Sequence, residues 1–319
     1  MEKENETDKE KNIKYIRDTL TLLPESENKV LNIQESKILE RKFSLEKIKE
    51  FNLVSLFHLY FYHYKCESVN DTNWGCAWRS MQTVLKYKLS LSNQNKDQEI
   101  SFYNLFMKYG SKEKLIEIFK KMKQEQDNTE MLEKKSLDKE FSPLETDKGE
   151  AKGKYSIEML EKKLLEKEFA PFETDKGWAE PFITQLVLYD FGFKGELLLI
   201  DHYCPNNYAP EEVFSTTLDF NSFKEKMKTH FTQKNPAPII LDDSYISISI
   251  IGVKFNELNN NIELLIMDPH ATDKPEDGLY IIILDESGDC LEIIPNKHVL
   301  ASLAITFSYN KPWMAYFPK

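Results

Sequence analysis

The chain is poor in cysteine, lacks a surplus of positive charge and contains no long apolar run. Four cysteines in 319 residues are too few for a disulfide scaffold, which points to free thiols in a reducing compartment. A net charge of -11 leaves no basic surface for phosphates, so nucleic acid is excluded as a partner, while a basic protein surface is permitted. No stretch approaches the roughly 20 apolar residues that cross a bilayer. Residues Met1 to Asn12 are almost all polar or charged, unlike a secretory signal. The expectation is a cytoplasmic protein without direct membrane insertion, which a partner could bring to the endoplasmic reticulum surface.

What is present is unevenly spread. Residues 1–50 read as a polar N-terminal extension, disordered over Met1 to Asn12 and thinly apolar beyond. It is either a small unit packed on the main domain or a loose arm, and a scaffold partner could bind there. Composition changes at Phe51. The run Phe51 to Tyr64 is dense in aromatic and aliphatic side chains and suits a buried helix or strand; Lys65 to Thr72 reads as a polar loop. Ala77, Met81, Val84 and Leu85 then recur at helical spacing, which puts Cys76 at a helix N-terminus. One or two helices follow over Ser101 to Lys123.

Beyond residue 178 the pattern turns to α/β. Helices are expected over Pro181 to Phe191 and Phe220 to Phe231. Strands are expected at Gly195 to Ile200, Pro238 to Leu241, Ile246 to Phe255, Ile262 to Met267, Leu279 to Leu284, Leu291 to Ile294 and Leu303 to Tyr309. A helical first half and an antiparallel second half make an α+β fold.

Between the halves lies a tandem repeat. Glu130 to Gly149 and Glu158 to Gly177 are identical at 16 of 20 positions. Two copies are too few for a stacked repeat architecture, so the pair reads as a charged insertion at about 125–177. The second copy is the more apolar, with Leu164, Ala170 and Phe172 where the first has Ser136, Ser142 and Leu144. The second is therefore expected to be integral and the first expendable.

Two stretches carry chemistry. In Asn73-Trp74-Gly75-Cys76-Ala77-Trp78-Arg79, a cysteine opens a helix, where negative charge is favoured and the thiolate is the reactive form. In Asp268-Pro269-His270, alternation along an extended segment lets the carboxylate and the imidazole point the same way. An aspartate holding one ring nitrogen leaves the other free as a base. His58 and His63 read as core residues, and His230 and His298 as surface ones. Neither His63 with Cys66 nor His202 with Cys204 has metal-site spacing, so no metal or other cofactor is expected.

These stretches resemble the Ufm-specific cysteine proteases. Trp74 to Thr83 is similar to that family's WGCAYRSLQT, and Ile251-Gly252-Val253 followed by Leu264 to His270 is similar to its LGV and LLLDPH. Tyr64, twelve residues before Cys76, falls where the family has its oxyanion tyrosine. The resemblance covers roughly Phe51 to the C-terminus. It implies a papain-like fold with the cysteine at a helix N-terminus facing a mostly antiparallel sheet. It also implies cleavage after the C-terminal glycine of the ubiquitin-fold modifier, both in precursor maturation and in release from target lysines. Carried across, Cys76 is the nucleophile, His270 the base, Asp268 its orienter and Tyr64 the oxyanion donor. Trp74 is the candidate wall of a narrow groove.

The chain departs from the family pattern at Asn73, where a glycine is usual, and at Ala179-Glu180-Pro181, where a Gly-Ser pair is absent. It departs again at Asp242 to Ile248, which replaces a glycine-rich turn and a histidine and makes Asp242 and Asp243 candidate substrate contacts. Two alternatives follow from these departures. One is a protease for the autophagy modifier or ubiquitin; the other is a non-catalytic module that binds a modifier.

Overall fold

A computed structural model describes residues 30–92, 100–137, 170–173, 177, 179–200, 217–243, 246–271, 274–295 and 313–319. The described chain opens with β1 (Leu31–Asn32), α1 (Ile33–Ser36), α2 (Ile38–Lys42) and α3 (Leu45–Lys49). The helices are short but locally specified. Asn32 caps α1 by accepting from the Glu35 amide, and Ser44 caps α3 by accepting from Lys47. Ile33, Ile38, Leu39, Phe43 and Ile48 are all buried in the core that the main sheet shares. Each contributes about 1.5–3 kcal/mol by leaving water. Residues 30–50 are thus packed on the main domain.

The aromatic run resolves into neither a helix nor one strand. It forms β2 (Asn52–Leu53), a 3-10 turn at Leu56–His58 and β3 (Tyr60–Phe61), which pairs antiparallel with β1. The central helix α4 (Cys76–Ser92) is buried without interruption from Cys76 to Leu85. It packs on the sheet on one side and on helices on the other, which is why its sequence shows little amphipathic contrast. Next come α5 (Phe102–Tyr109), α6 (Lys112–Leu137) and α7 (Pro181–Asp190). Ser101 and Ser111 cap α5 and α6, and a proline opens α7.

The helix α6 runs on through the start of the first repeat copy. Of the second copy, Ala170 and Phe172 are buried. Phe172 packs edge-on against Phe106, and its amide donates to the Gly110 carbonyl. A Cβ on Gly110 would lie 2.1 Å from the Phe172 ring, so the close approach depends on that glycine. Leu164 lies outside the described residues.

The remaining elements are β4 (Gly195–Ile200), β5 (Thr217–Leu218), α8 (Phe220–Phe231), β6 (Ile239–Asp242), β7 (Ser247–Phe255), β8 (Ile262–Met267), β9 (Leu279–Leu284), β10 (Cys290–Ile294) and β11 (Trp313–Pro318). The strand order is β10-β9-β8-β7-β6-β11-β4-β5, with β2 pairing β7 at Val253 and Gly252. All neighbours are antiparallel except β4 and β5. β8 is buried at every position, as a strand covered on both faces must be, and it is apolar except for Glu263, which pairs with Lys254 of β7 at 2.6 Å.

The strand β11 lies between β6 and β4. The strand expected at Leu303 to Tyr309 lies outside the described residues. One expectation changes here. His230 is buried on α8 rather than at the surface. Its Nε2 meets the Ala237 carbonyl at 2.7 Å, and burial holds its pKa below the ordinary value.

Deleting Glu130 to Ile157 joins Thr129 directly to the second copy's EMLEKK, which can continue α6, and keeps Ala170 and Phe172. The expected cost is within about 1 kcal/mol in chemical unfolding. Phe172→Ala in the full chain is expected to cost about 3 kcal/mol. A deletion as damaging as the point mutation would show that the first copy is structural.

Candidate active site

The loop between β3 and α4 is polar in sequence but is held from inside. Arg79 and Asp71 have fully buried side chains, and Arg79 Nε donates to Asp71 Oδ2 at 2.6 Å. The same guanidinium donates to Glu67 Oε2 at 2.5 Å, to Gln82 Oε1 at 3.0 Å and to the Cys66 carbonyl at 2.8 Å, and it lies over the Phe102 ring. Burial weighs against its charge, and the Cys66, Asp71 and Glu67 side chains more than offset that, so it stays protonated. Asp71 accepts from the Lys65 amide through Oδ1, and its carbonyl accepts from the Trp74 and Gly75 amides.

This packing accounts for the residues just ahead of the cysteine. A Cβ on Gly75 would lie 2.4 Å from Asp71 Oδ2, so only glycine fits there. Asn73 has φ of 70°, a left-handed conformation that asparagine tolerates better than most residues, so it can stand in a glycine's place. Glu67, at φ 62°, is held in the same region by its bonds to Arg79, Gln82 and the Phe102 amide. The chain then turns into α4 with Cys76 as its first residue.

The second stretch leaves β8 and turns back. The Asp268 amide donates to the Gly278 carbonyl at 2.8 Å, which closes the turn ahead of β9. Asp268 Oδ1 accepts from the His270 amide at 3.0 Å and meets His270 Nδ1 at 2.5 Å; Oδ2 accepts from the Tyr280 hydroxyl at 3.2 Å. The two stretches are joined by the Tyr64 amide, which donates to the Pro269 carbonyl at 2.8 Å. The Tyr64 and His270 rings meet edge to face at 5.0 Å. From the N-terminal segment, Lys42 bonds to the Glu276 carbonyl and pairs with Asp277 at 3.8 Å, bracing the same turn.

Cys76, His270, Asp268 and Tyr64 therefore come together. Burial weighs against charge on His270, but Asp268 and the Cys76 side chain outweigh it, and the imidazole pKa is pushed up to about 10. With Nδ1 committed to Asp268, Nε2 is the nitrogen left for the thiol. Tyr64 stays a neutral donor, since burial, and then the charges of Cys76, Asp71 and Asp268, drive its pKa far up. Its hydroxyl is buried, has the Cys76 side chain as an electrostatic neighbour and, among the described residues, makes no hydrogen bond of ordinary geometry.

Trp74 is partly exposed and packs edge-on against Phe102 and Phe106, whereas Trp78 is wholly buried and donates through Nε1 to the Gly177 carbonyl at 3.0 Å. The end of the second repeat copy thus abuts the cysteine's flanking tryptophans. Asp242 and Asp243 are both buried at the end of β6, and Asp243 Oδ1 accepts from the Ile246 amide at 2.7 Å, closing the turn to β7. Cys66 is buried and its thiol is pushed up to about 12 by that burial; Cys204 lies outside the described residues. Among the described residues, no three His, Cys, Asp or Glu side chains are grouped as a metal site needs, and no helix is long and apolar enough to cross a membrane.

Comparison with known proteins agrees with the motifs. The model of peptidase family C78 matches residues 51–134 and 198–283, more than half of the chain. The chain belongs to this family. Cys76 lies in the first matched stretch and Asp268 and His270 in the second, and the gap between the stretches contains most of the tandem repeat. The Ufm-specific protease resemblance read from the sequence is this same C78 kinship. No curated protein matches the chain. Among solved structures, UfSP from C. elegans aligns with a TM-score of 0.43 and 14% identity, over 84% of this chain and 34% of that one. The chain thus spans about a third of the length of that C. elegans protein.

Sequence reasoning missed Arg79, Asp71 and Tyr280. A charged residue three positions after the cysteine, inside an otherwise apolar helix stretch, was the available signal for Arg79.

Two measurements follow. The His270 ring protons are expected to titrate near pH 10 rather than at the ordinary 6.5, and Asp268→Asn should bring the midpoint down. With a folded-state pKa raised in this way, the charged pair's contribution to stability is complete below about pH 6.5 and is lost as the pH rises towards 10. Arg79→Lys cannot reproduce the forked contacts. It is expected to cost about 3 kcal/mol in unfolding, because Asp71 is left buried beside a poorer partner.

Proposed function

We propose that the chain is a thiol peptidase that cleaves after the C-terminal glycine of the ubiquitin-fold modifier, acting on its precursor and on its conjugates. The observation that carries this reading is the bonded Asp268–His270 pair set against a cysteine at the first residue of a buried helix. The kinship with family C78 supports it.

In this reading the Cys76 thiolate attacks the glycine carbonyl carbon. Charge develops on the carbonyl oxygen, and the Tyr64 hydroxyl, which has no competing well-formed bond, donates to it. The His270 imidazolium passes its proton to the departing amine as the C–N bond breaks, leaving a thioester. His270 then takes a proton from water, whose oxygen attacks the thioester and releases Cys76. Asp268 keeps the ring's Nδ1–H engaged throughout. Trp74, partly exposed and backed by Phe102 and Phe106, is the proposed wall against which a small glycine tail lies. Asp242 stays a candidate contact. Asp243 already commits one oxygen to its turn, which weighs towards a structural use of that carboxylate.

The test is a panel of modifiers bearing C-terminal electrophiles: the ubiquitin-fold modifier, ubiquitin and the autophagy modifier. A covalent adduct with the first, lost in Cys76→Ala, is expected. Reaction with another modifier alone would overturn the substrate. Binding without any adduct would favour a non-catalytic module.

A further inference from the structure

Asp268 has more to do than its bond to the imidazole. Its carboxylate is buried, and its two oxygens have separate duties. Oδ1 serves the His270 amide and ring, while Oδ2 accepts from Tyr280. The Cβ–Cγ torsion of an aspartate is broad and roughly two-fold, so the backbone alone does not fix the carboxylate plane. Tyr280 can fix it. It lies one residue into β9, paired with Ile266 of β8, and its ring is 1% exposed, so the hydroxyl cannot move away from Asp268. Burial, followed by the Asp268 charge, raises its pKa well above the ordinary value, so it remains a donor at any working pH.

We propose that Tyr280 is a positioning residue for the catalytic base, holding the Asp268 carboxylate in the plane that presents Oδ1 to His270. This rests on the reading of Cys76 and His270 as nucleophile and base. The triad then has a fourth, buried member on the neighbouring strand. Loss of the hydroxyl would leave Oδ2 buried with one donor fewer. That favours rotation or protonation of Asp268, and either change weakens its hold on the imidazolium.

Burial, Asp268 on its own turn and Cys76 from α4 set the titration of His270; Tyr280 faces Asp268 from β9, and the Tyr64 ring packs against the imidazole from the loop after β3. The experiment is the pH dependence of Cys76 alkylation by iodoacetamide, which needs no modifier and so stands apart from the substrate assignment. In the wild-type chain, alkylation at neutral pH should be faster than for a free thiol, with an alkaline limb set by His270. If the wild type lacks this enhancement, the reading of the site fails. Given an active wild type, Tyr280→Phe is expected to move the limb to lower pH and to slow alkylation at pH 8 roughly tenfold. In an Asp268→Asn background the same substitution should have no further effect, because Tyr280 acts only through Asp268. An unshifted limb in Tyr280→Phe, a shift to higher pH, or a full effect in the Asp268→Asn background would overturn the proposal. If Tyr280→Phe does not fold, the wild-type protein still decides. A tyrosine hydroxyl proton coupled to the Asp268 carboxylate should be visible by NMR as slowly exchanging, and its absence would contradict the bond.

Discussion

The buried ion pair between Arg79 and Asp71 is the constraint on which the site depends. Neither side chain is exposed, so neither charge can be removed alone without leaving the other unpaired in a poorly polarisable interior. The guanidinium belongs to the first turn of α4, and its partners Glu67, Asp71 and the Cys66 carbonyl all belong to the loop that delivers the chain to that helix. One side chain therefore sets where the loop ends and the helix begins. The left-handed residues Glu67 and Asn73 and the obligatory Gly75 are consequences of wrapping that loop around one buried cation.

A second set of contacts brings the distant half of the chain to the same place. The Tyr64 amide is bonded to the Pro269 carbonyl, so the proposed oxyanion donor and the histidine turn share a hydrogen bond. Lys42 holds the far side of that turn, and Gly278 permits its tight return. A Cβ on Gly278 would lie 2.4 Å from the Asp268 carbonyl oxygen, so any larger residue would push on the aspartate itself. The position of His270 thus depends on segments from residue 42 to residue 280. The gap in the family match falls where the repeat is inserted, and none of these contacts involves a residue within it.

Much of this was readable in the sequence, for definite reasons. Cys76 as the first helical residue followed from the spacing of Ala77, Met81, Val84 and Leu85. The ranges of β4, β8, β9 and α8 followed from apolar runs bounded by turn residues. Asp268 and His270 sit two residues apart and do bond, as alternation suggested. What was hidden has a common cause: side chains whose partners lie across a neighbouring loop or turn, 7 to 12 residues away, and so at no regular helix or strand spacing. Arg79 stands in the sequence only as one residue of the cysteine motif, and its bonds to Glu67 and Asp71 appear only in the fold. Tyr280 reads as strand core until Asp268 is seen beside it. His230 reads as surface because its stabilising partner is the Ala237 backbone, which has no signature of its own. The short helices of residues 33–49 look marginal alone and owe their stability to packing on the sheet.

The central claim is that Cys76 sits in a site built to activate it. Exposure alone predicts the reverse, since Cys76 is buried and Cys290 is partly exposed. The direct measurement is competitive alkylation of the folded chain with limiting iodoacetamide at pH 7, resolved by peptide mass spectrometry. The account predicts that Cys76 is modified ahead of Cys290 and Cys66, because it is the thiol that faces His270 at a helix N-terminus. Modification in order of exposure, with Cys290 first and Cys76 inert, would contradict it.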